Sequence, residues 1–145
     1  MIATILVICV GNICRSPMAE GLLQRAFPEK TILSAGIGAM VAHPAEPFAI
    51  ELMQEQGIDI GPHRAQALAS WMVREADLIL TMDVDQNRYI EQKFPTSKGK
   101  VFRLAQAGNV DIPDPYRQDL AAFRKTYALI AEGVDTLVER IAHIH

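Results

Sequence analysis

Residues 2–8 read Ile-Ala-Thr-Ile-Leu-Val-Ile, with Thr4 the single polar side chain, and run straight into Cys9. A strand that is apolar on consecutive positions must be covered on both faces, as in the interior of a parallel sheet. The run is too short to span a membrane and carries no basic leader. Val7 and Ile8 are too large for a lipoprotein site before Cys9, so the run reads as a buried strand of a cytoplasmic protein. The residues after it, Cys9-Val10-Gly11-Asn12-Ile13-Cys14-Arg15-Ser16-Pro17, force a change of structure. Gly11 and Asn12 tolerate left-handed backbone, and Pro17 suits the first position of a helix that Ser16 is expected to cap.

The remaining chain repeats this alternation. Helical spacing over 17–27 (Ala19, Leu22, Leu23, Ala26, Phe27) ends at Pro28. A short strand is expected over 31–35 and a helix over 45–56, closed by Gly57. A helical turn over 67–75 centres on Trp71, which is expected to pack in the core. A buried strand is predicted over 78–82, a helix over 84–94 and a fourth strand over 101–104. A turn-rich loop over 109–117 precedes a last helix over about 118–143, with Phe123, Tyr127, Ile130, Val134, Leu137 and Ile141 on one face. Strands alternating with helices predict an α/β fold, a parallel sheet with helices on both faces. No linker or repeat divides the chain, so one domain over residues 1–145 is expected. Ligands in such sheets bind beyond the carboxyl ends of the strands, where Cys9, Asp83 and the loops after Ala35 and Leu104 fall.

The chemistry suggested there is anionic. A strand leading through a short polar loop into a helix aims unpaired N–H donors and the positive helix end at one point. A thiol facing such donors beside a guanidinium is expected to ionise readily. Arg15 offers a planar fork for two oxygens of a phosphate. A nucleophile and a phosphate clamp in one loop suggest phosphoryl transfer through a covalent cysteinyl phosphate. With 17 acidic and 14 basic residues the net charge is −3, and no basic tract marks a nucleic-acid surface. Two cysteines are too few for a disulfide framework, and with four histidines they show no metal-ligand spacing. Neither a metal nor a cofactor is expected. A departing ester oxygen needs a proton, and Asp114, between Pro113 and Pro115, is the candidate donor; from its spacing alone it is equally a turn aspartate.

The Cys9–Ser16 motif at the N-terminus, with Asp114-Pro115-Tyr116 far downstream, resembles the low-molecular-weight protein tyrosine phosphatase family over essentially the whole chain. The resemblance implies a four-stranded parallel sheet with flavodoxin-like winding. It implies Cys9 as nucleophile, Arg15 as clamp and Asp114 as general acid. Val10, Gly11, Asn12, Ile13, Cys14 and Ser16 would complete the phosphate loop, with Ser34 and His63 supporting it. Ser16 would also stabilise the thiolate, and Tyr116, Ile37 and Met40 would line the substrate cleft. The resemblance further implies that Cys9 and Cys14 can form a reversible disulfide. Animal members carry an aromatic residue in the loop after the second strand, where this chain has Ile37, Met40 and Val41, and a second tyrosine where it has Arg117. The chain is more similar to bacterial members that accompany tyrosine autokinases of capsule or exopolysaccharide synthesis. A phosphotyrosine protein of that kind is therefore the expected partner, the enzyme being a monomer without membrane insertion.

Two other activities use related folds. Thioredoxin-coupled arsenate reductases relay oxidation through further cysteines, and this chain has none after Cys14. Phosphocysteine carriers must keep their phosphoryl group and have no use for a clamp and a hydrolytic acid, against which Arg15 and Asp114 both speak.

Overall fold

The apolar run forms strand β1 (Thr4–Cys9), buried from Ile5 onward, in a computed structural model that describes residues 1–144, with the backbone alone described at Ile144. β2 (Thr31–Gly36) and β3 (Leu78–Thr81) flank it, and β4 (Val101–Arg103) lies beyond β3. The order is β2-β1-β3-β4, and every pair is parallel. Side chains alternate across the sheet. Ile5, Val7 and Cys9 face a core shared with helices α1 (Arg15–Ala26), α2 (Pro47–Glu55) and α5 (Leu120–Ile144). Leu6 and Ile8 face a second core with α3 (Ser70–Glu75) and α4 (Val84–Lys93). Each fully buried aliphatic side chain contributes about 1.5–3 kcal/mol relative to exposure. Covering both faces is what makes a strand without polar alternation stable.

From β1 the chain winds outward to β2, then crosses back to β3 on the other side. The reversal leaves a crevice beyond the carboxyl ends of β1 and β3. Cys9 ends β1 and Asp83 follows β3, so both lie at this switch point.

Three local expectations are corrected. α1 begins at Arg15 rather than Pro17, and Ser16 lies inside its first turn without capping it. Pro17 is tolerated there because N–H groups of the first turn have no intrahelical partner. The helical turn expected over 67–75 begins only at Ser70: residues 67–69 precede it, and Gly36 N–H donates to Gln66 O and Leu68 N–H to Gly36 O, a single parallel bridge beside β2. Trp71 is 46% exposed, because α3 buries Met72 and Val73 instead. Among the described residues no helix is long and apolar enough to cross a membrane.

Candidate active site

The loop after β1 is shaped by where its carbonyls go. Cys9 O accepts from Ile37 N at 3.0 Å, Val10 O from Gly38 N at 3.0 Å and Gly11 O from Met40 N at 3.0 Å. Asn12 O accepts from the His63 ring at 2.7 Å, Ile13 O from Glu46 N at 2.8 Å and Cys14 O from Met18 N at 3.4 Å. The carbonyls of Cys9 to Ile13 are thus turned outward to donors beyond the loop, and that of Cys14 makes the first bond of α1. Because the N–H of a trans peptide points opposite its C=O, the amides from Val10 to Arg15 are turned toward the loop's interior. Such converging amides, continued by the start of α1, form an anion nest. Left-handed backbone is needed once, at Asn12 (φ 59°); Gly11 does not adopt it. Gly36 is needed for a different reason. A Cβ there would lie 2.5 Å from Val10 O, so only glycine lets the β2 loop approach closely enough to donate.

Asn12 is the hub of the support. Its Nδ2 donates to Ser16 Oγ at 2.7 Å and to Ser34 Oγ at 3.1 Å, and its Oδ1 accepts from Gln66 N at 2.9 Å. Ser16 Oγ already accepts from Asn12, so its own proton is free for Cys9 Sγ at 2.9 Å. Ser34 in turn donates to Glu20 Oε1 at 2.9 Å, and the same carboxylate oxygen lies 3.7 Å from His63 Nδ1. Asn12 O can only accept, so His63 Nε2 carries a proton. Burial alone would lower the His63 pKa, but Glu20 and the Asn12 carbonyl outweigh it and the pKa is raised.

Arg15 is 3% exposed. Its Nη1 donates to Ile112 O at 2.9 Å, with Asp83 Oδ2 at 3.8 Å and Asp114 Oδ2 at 3.7 Å from the guanidinium. Neither carboxylate is close enough to occupy the fork. Cys9, Arg15, Asp114, Met40 and Tyr116 line one cleft of about 130 Å³. Ile37 does not line it. That side chain packs with the Leu6–Ile8 core on the other face of the sheet, and Gly38 takes its place in the cleft wall. Burial, followed by the charges of Asp114 and Cys9, pushes the Cys14 thiol well up, away from ionisation. Both cysteines are free thiols. Among the described residues no group of three or more His, Cys, Asp or Glu side chains is arranged to hold a metal ion.

The family model described as low molecular weight phosphotyrosine protein phosphatase matches residues 4–144. The chain belongs to this family. It is 52% identical over 141 residues to the probable low molecular weight protein-tyrosine-phosphatase EpsP of Ralstonia solanacearum, covering 97% of each chain. It is 42% identical over 131 residues to the low molecular weight protein-tyrosine-phosphatase Wzb of Escherichia coli K12, covering 90% of this chain and 89% of that one. The solved structure of Vibrio vulnificus Wzb in complex with benzylphosphonate matches with a TM-score of 0.92 at 41% identity, covering 97% of this chain and 99% of that one. The chain is thus a low molecular weight protein-tyrosine phosphatase of the EpsP/Wzb type.

Several groups of this phosphatase site escape the sequence. Glu20 follows Ser16 by four residues, which puts both on one face of α1, a readable signal. Asp83 was legible as a strand-end residue but not as a neighbour of Arg15. Gln66 acts through its backbone N–H on Asn12 Oδ1 and its Nε2 on Ser34 O, and Ile112 through its carbonyl; the backbone contributions do not depend on side-chain type, so they leave no pattern.

Proposed function

We propose that this tyrosine phosphatase hydrolyses phosphotyrosine through a phosphoryl group carried on Cys9. The observation that carries this reading is the alignment of the Ser16 hydroxyl on Cys9 Sγ beneath amides whose carbonyls all turn outward. In the first step the Cys9 thiolate attacks phosphorus, forming the S–P bond as the P–O(aryl) bond breaks. Arg15 and the loop amides stabilise charge on the equatorial oxygens, and Asp114 gives its proton to the departing phenolate oxygen. In the second step Asp114 takes a proton from water, whose oxygen displaces Cys9 from phosphorus and returns the thiolate. No metal or cofactor enters either step. Met40 and Tyr116 supply apolar walls for a phenyl ring, in keeping with the benzylphosphonate held by Vibrio vulnificus Wzb. The buried thiols suit a reducing cytoplasm, and the partner in this reading is a bacterial tyrosine autokinase of polysaccharide synthesis or export.

Incubation with phosphotyrosine peptides and p-nitrophenyl phosphate in the presence of a chelator tests the reaction, with thioredoxin-coupled arsenate reduction run alongside. Release of inorganic phosphate without arsenate reduction is expected. Arsenate reduction, or a stable phosphoprotein that releases no phosphate, would contradict it. A Cys9→Ser variant used as a trap on cell extract tests the partner, and an autokinase is the expected capture.

A further inference from the structure

Asp114 lies on a mostly exposed segment, which is fixed by Arg15 at Ile112 O and, beyond that, by a set of groups outside the phosphate loop. Arg103 closes β4 and is 8% exposed. Its Nη1 donates to Asp111 Oδ1 at 2.9 Å and its Nη2 to Asn109 Oδ1 at 2.6 Å. Asp111 Oδ1 also accepts from Val84 N, the first residue of α4, at 3.2 Å. Asn109 is held in left-handed backbone (φ 53°). Just downstream, Ile112 N–H donates to Met82 O at 2.8 Å, and the buried Thr126 hydroxyl of α5 donates to Pro113 O at 3.1 Å. The next residue is Asp114. A buried guanidinium that orders two side chains of one loop is not needed to close β4, whose pairing with β3 is made by backbone groups.

We infer that Arg103 and Thr126 are positioning residues for the acid: one fastens the start of its segment to the sheet, the other fastens Pro113 to α5, and together they aim the Asp114 carboxyl at the leaving oxygen. This rests on Asp114 being the general acid. Catalysis by a positioned acid falls steeply when the acid is displaced by an ångström or so, and the loss falls on esters whose leaving group needs a proton.

The test compares kcat/KM on phenyl phosphate, a poor leaving group, with p-nitrophenyl phosphate, a good one. Arg103→Met and Thr126→Val are made singly and in an Asp114→Asn background. Arg103→Met is expected to lose about 10- to 100-fold on phenyl phosphate and Thr126→Val about 3- to 10-fold, fractions of the full general-acid effect. Losses on p-nitrophenyl phosphate should stay within about threefold, and both substitutions should be nearly silent once Asp114 is Asn, as for residues that act as one unit. Equal losses on the two esters, or full additivity with Asp114→Asn, overturn the inference. Should Arg103→Met not fold, Thr126→Val, which keeps shape and removes only the hydroxyl, decides by the same criteria. If Asp114→Asn alone shows no dependence on leaving group, the general-acid reading fails; if it does and the positioning variants do not, only the inference fails.

Discussion

Residues 9–16 are buried except at Val10 and Gly11, and donors from outside the loop take the carbonyls of Cys9 to Ile13. Residues 109–117 are mostly exposed, with Ile112 and Pro115 the buried exceptions. They are held by Arg103 of β4, by the Thr126 hydroxyl of α5 and by Arg15 on Ile112 O. The two regions meet in one cleft, yet they are built oppositely. In the first, the backbone is over-determined and the functional groups follow from its shape. In the second, a carboxyl group is carried on a mostly exposed segment whose backbone is tied at separate points, among them Ile112 N–H on Met82 O, Ile112 O on Arg15 and Pro113 O on Thr126. A nest must converge several donors on one point and tolerates little displacement. The proton donor proposed for Asp114 needs one atom in place at one moment, and a segment tied at separate points suffices.

That contrast orders the expected effects of mutation. Asp114→Asn should lower kcat/KM on phenyl phosphate by about 10²–10⁴ and less on p-nitrophenyl phosphate, with the folded structure unchanged by circular dichroism. A uniform loss would make Asp114 a structural residue and dissolve the contrast. Arg15→Lys should lose about 10²–10³ in kcat: an ammonium supplies charge but not a bidentate fork, and it cannot reach both Ile112 O and a phosphate. A lysine variant within a few-fold of wild type would mean that the first region needs only charge.

His63→Gln sharpens the comparison through pH. Glutamine can still donate to Asn12 O but cannot carry the charge that faces Glu20. The folded-state pKa of His63 is raised above the ordinary 6.5, so protonation favours the folded state. The associated stability is fully present below pH 6.5 and is lost as pH rises through the folded pKa. Wild type should therefore exceed His63→Gln by about 1.5–3 kcal/mol at acid pH, the scale of a hydrogen bond to a charged group, with the gap narrowing toward alkaline pH. Urea titrations at several pH values check this, and a gap that widens with pH would contradict the assigned Glu20–His63 pairing. The smallest effect is expected for Cys14→Ser. Its buried thiol, held protonated, has no part in turnover, and activity should stay within about threefold. If Cys14 does condense with an oxidised Cys9, the variant should lose the recovery that dithiothreitol gives wild type after a peroxide pulse. Mass spectrometry for a Cys9–Cys14 bridge checks the chemistry directly.

The same contrast explains which features are legible in the sequence. Cys9 and Arg15 are legible because a strand end, a short loop and a helix start are contiguous in sequence, and their spacing alone implies a shared focus. The sheet is legible because β1 is apolar without alternation, which only double-sided burial explains. Asp114 became a candidate by chemistry and resemblance rather than by spacing, since its approach to Arg15 depends on a contact across 99 positions of chain. Ser16 was misread as a cap because Ser before Pro is a common helix entry; the competing partner, a thiol brought close by the return of the loop, is tertiary. Ile37 was misassigned because the loop after β2 exposes one side to the cleft and the other to the core, and only the path of the backbone tells which residue faces which.

The nest is proposed to hold a phosphoryl group on Cys9. Acid quenching of wild type within the first turnovers of p-nitrophenyl phosphate, followed by peptide mass spectrometry, tests it directly. A burst of p-nitrophenolate matched by one phosphoryl group on Cys9, absent from Cys9→Ser, is expected. A linear time course with no phosphopeptide, or a phosphoryl group found on Cys14 or another residue, would contradict it.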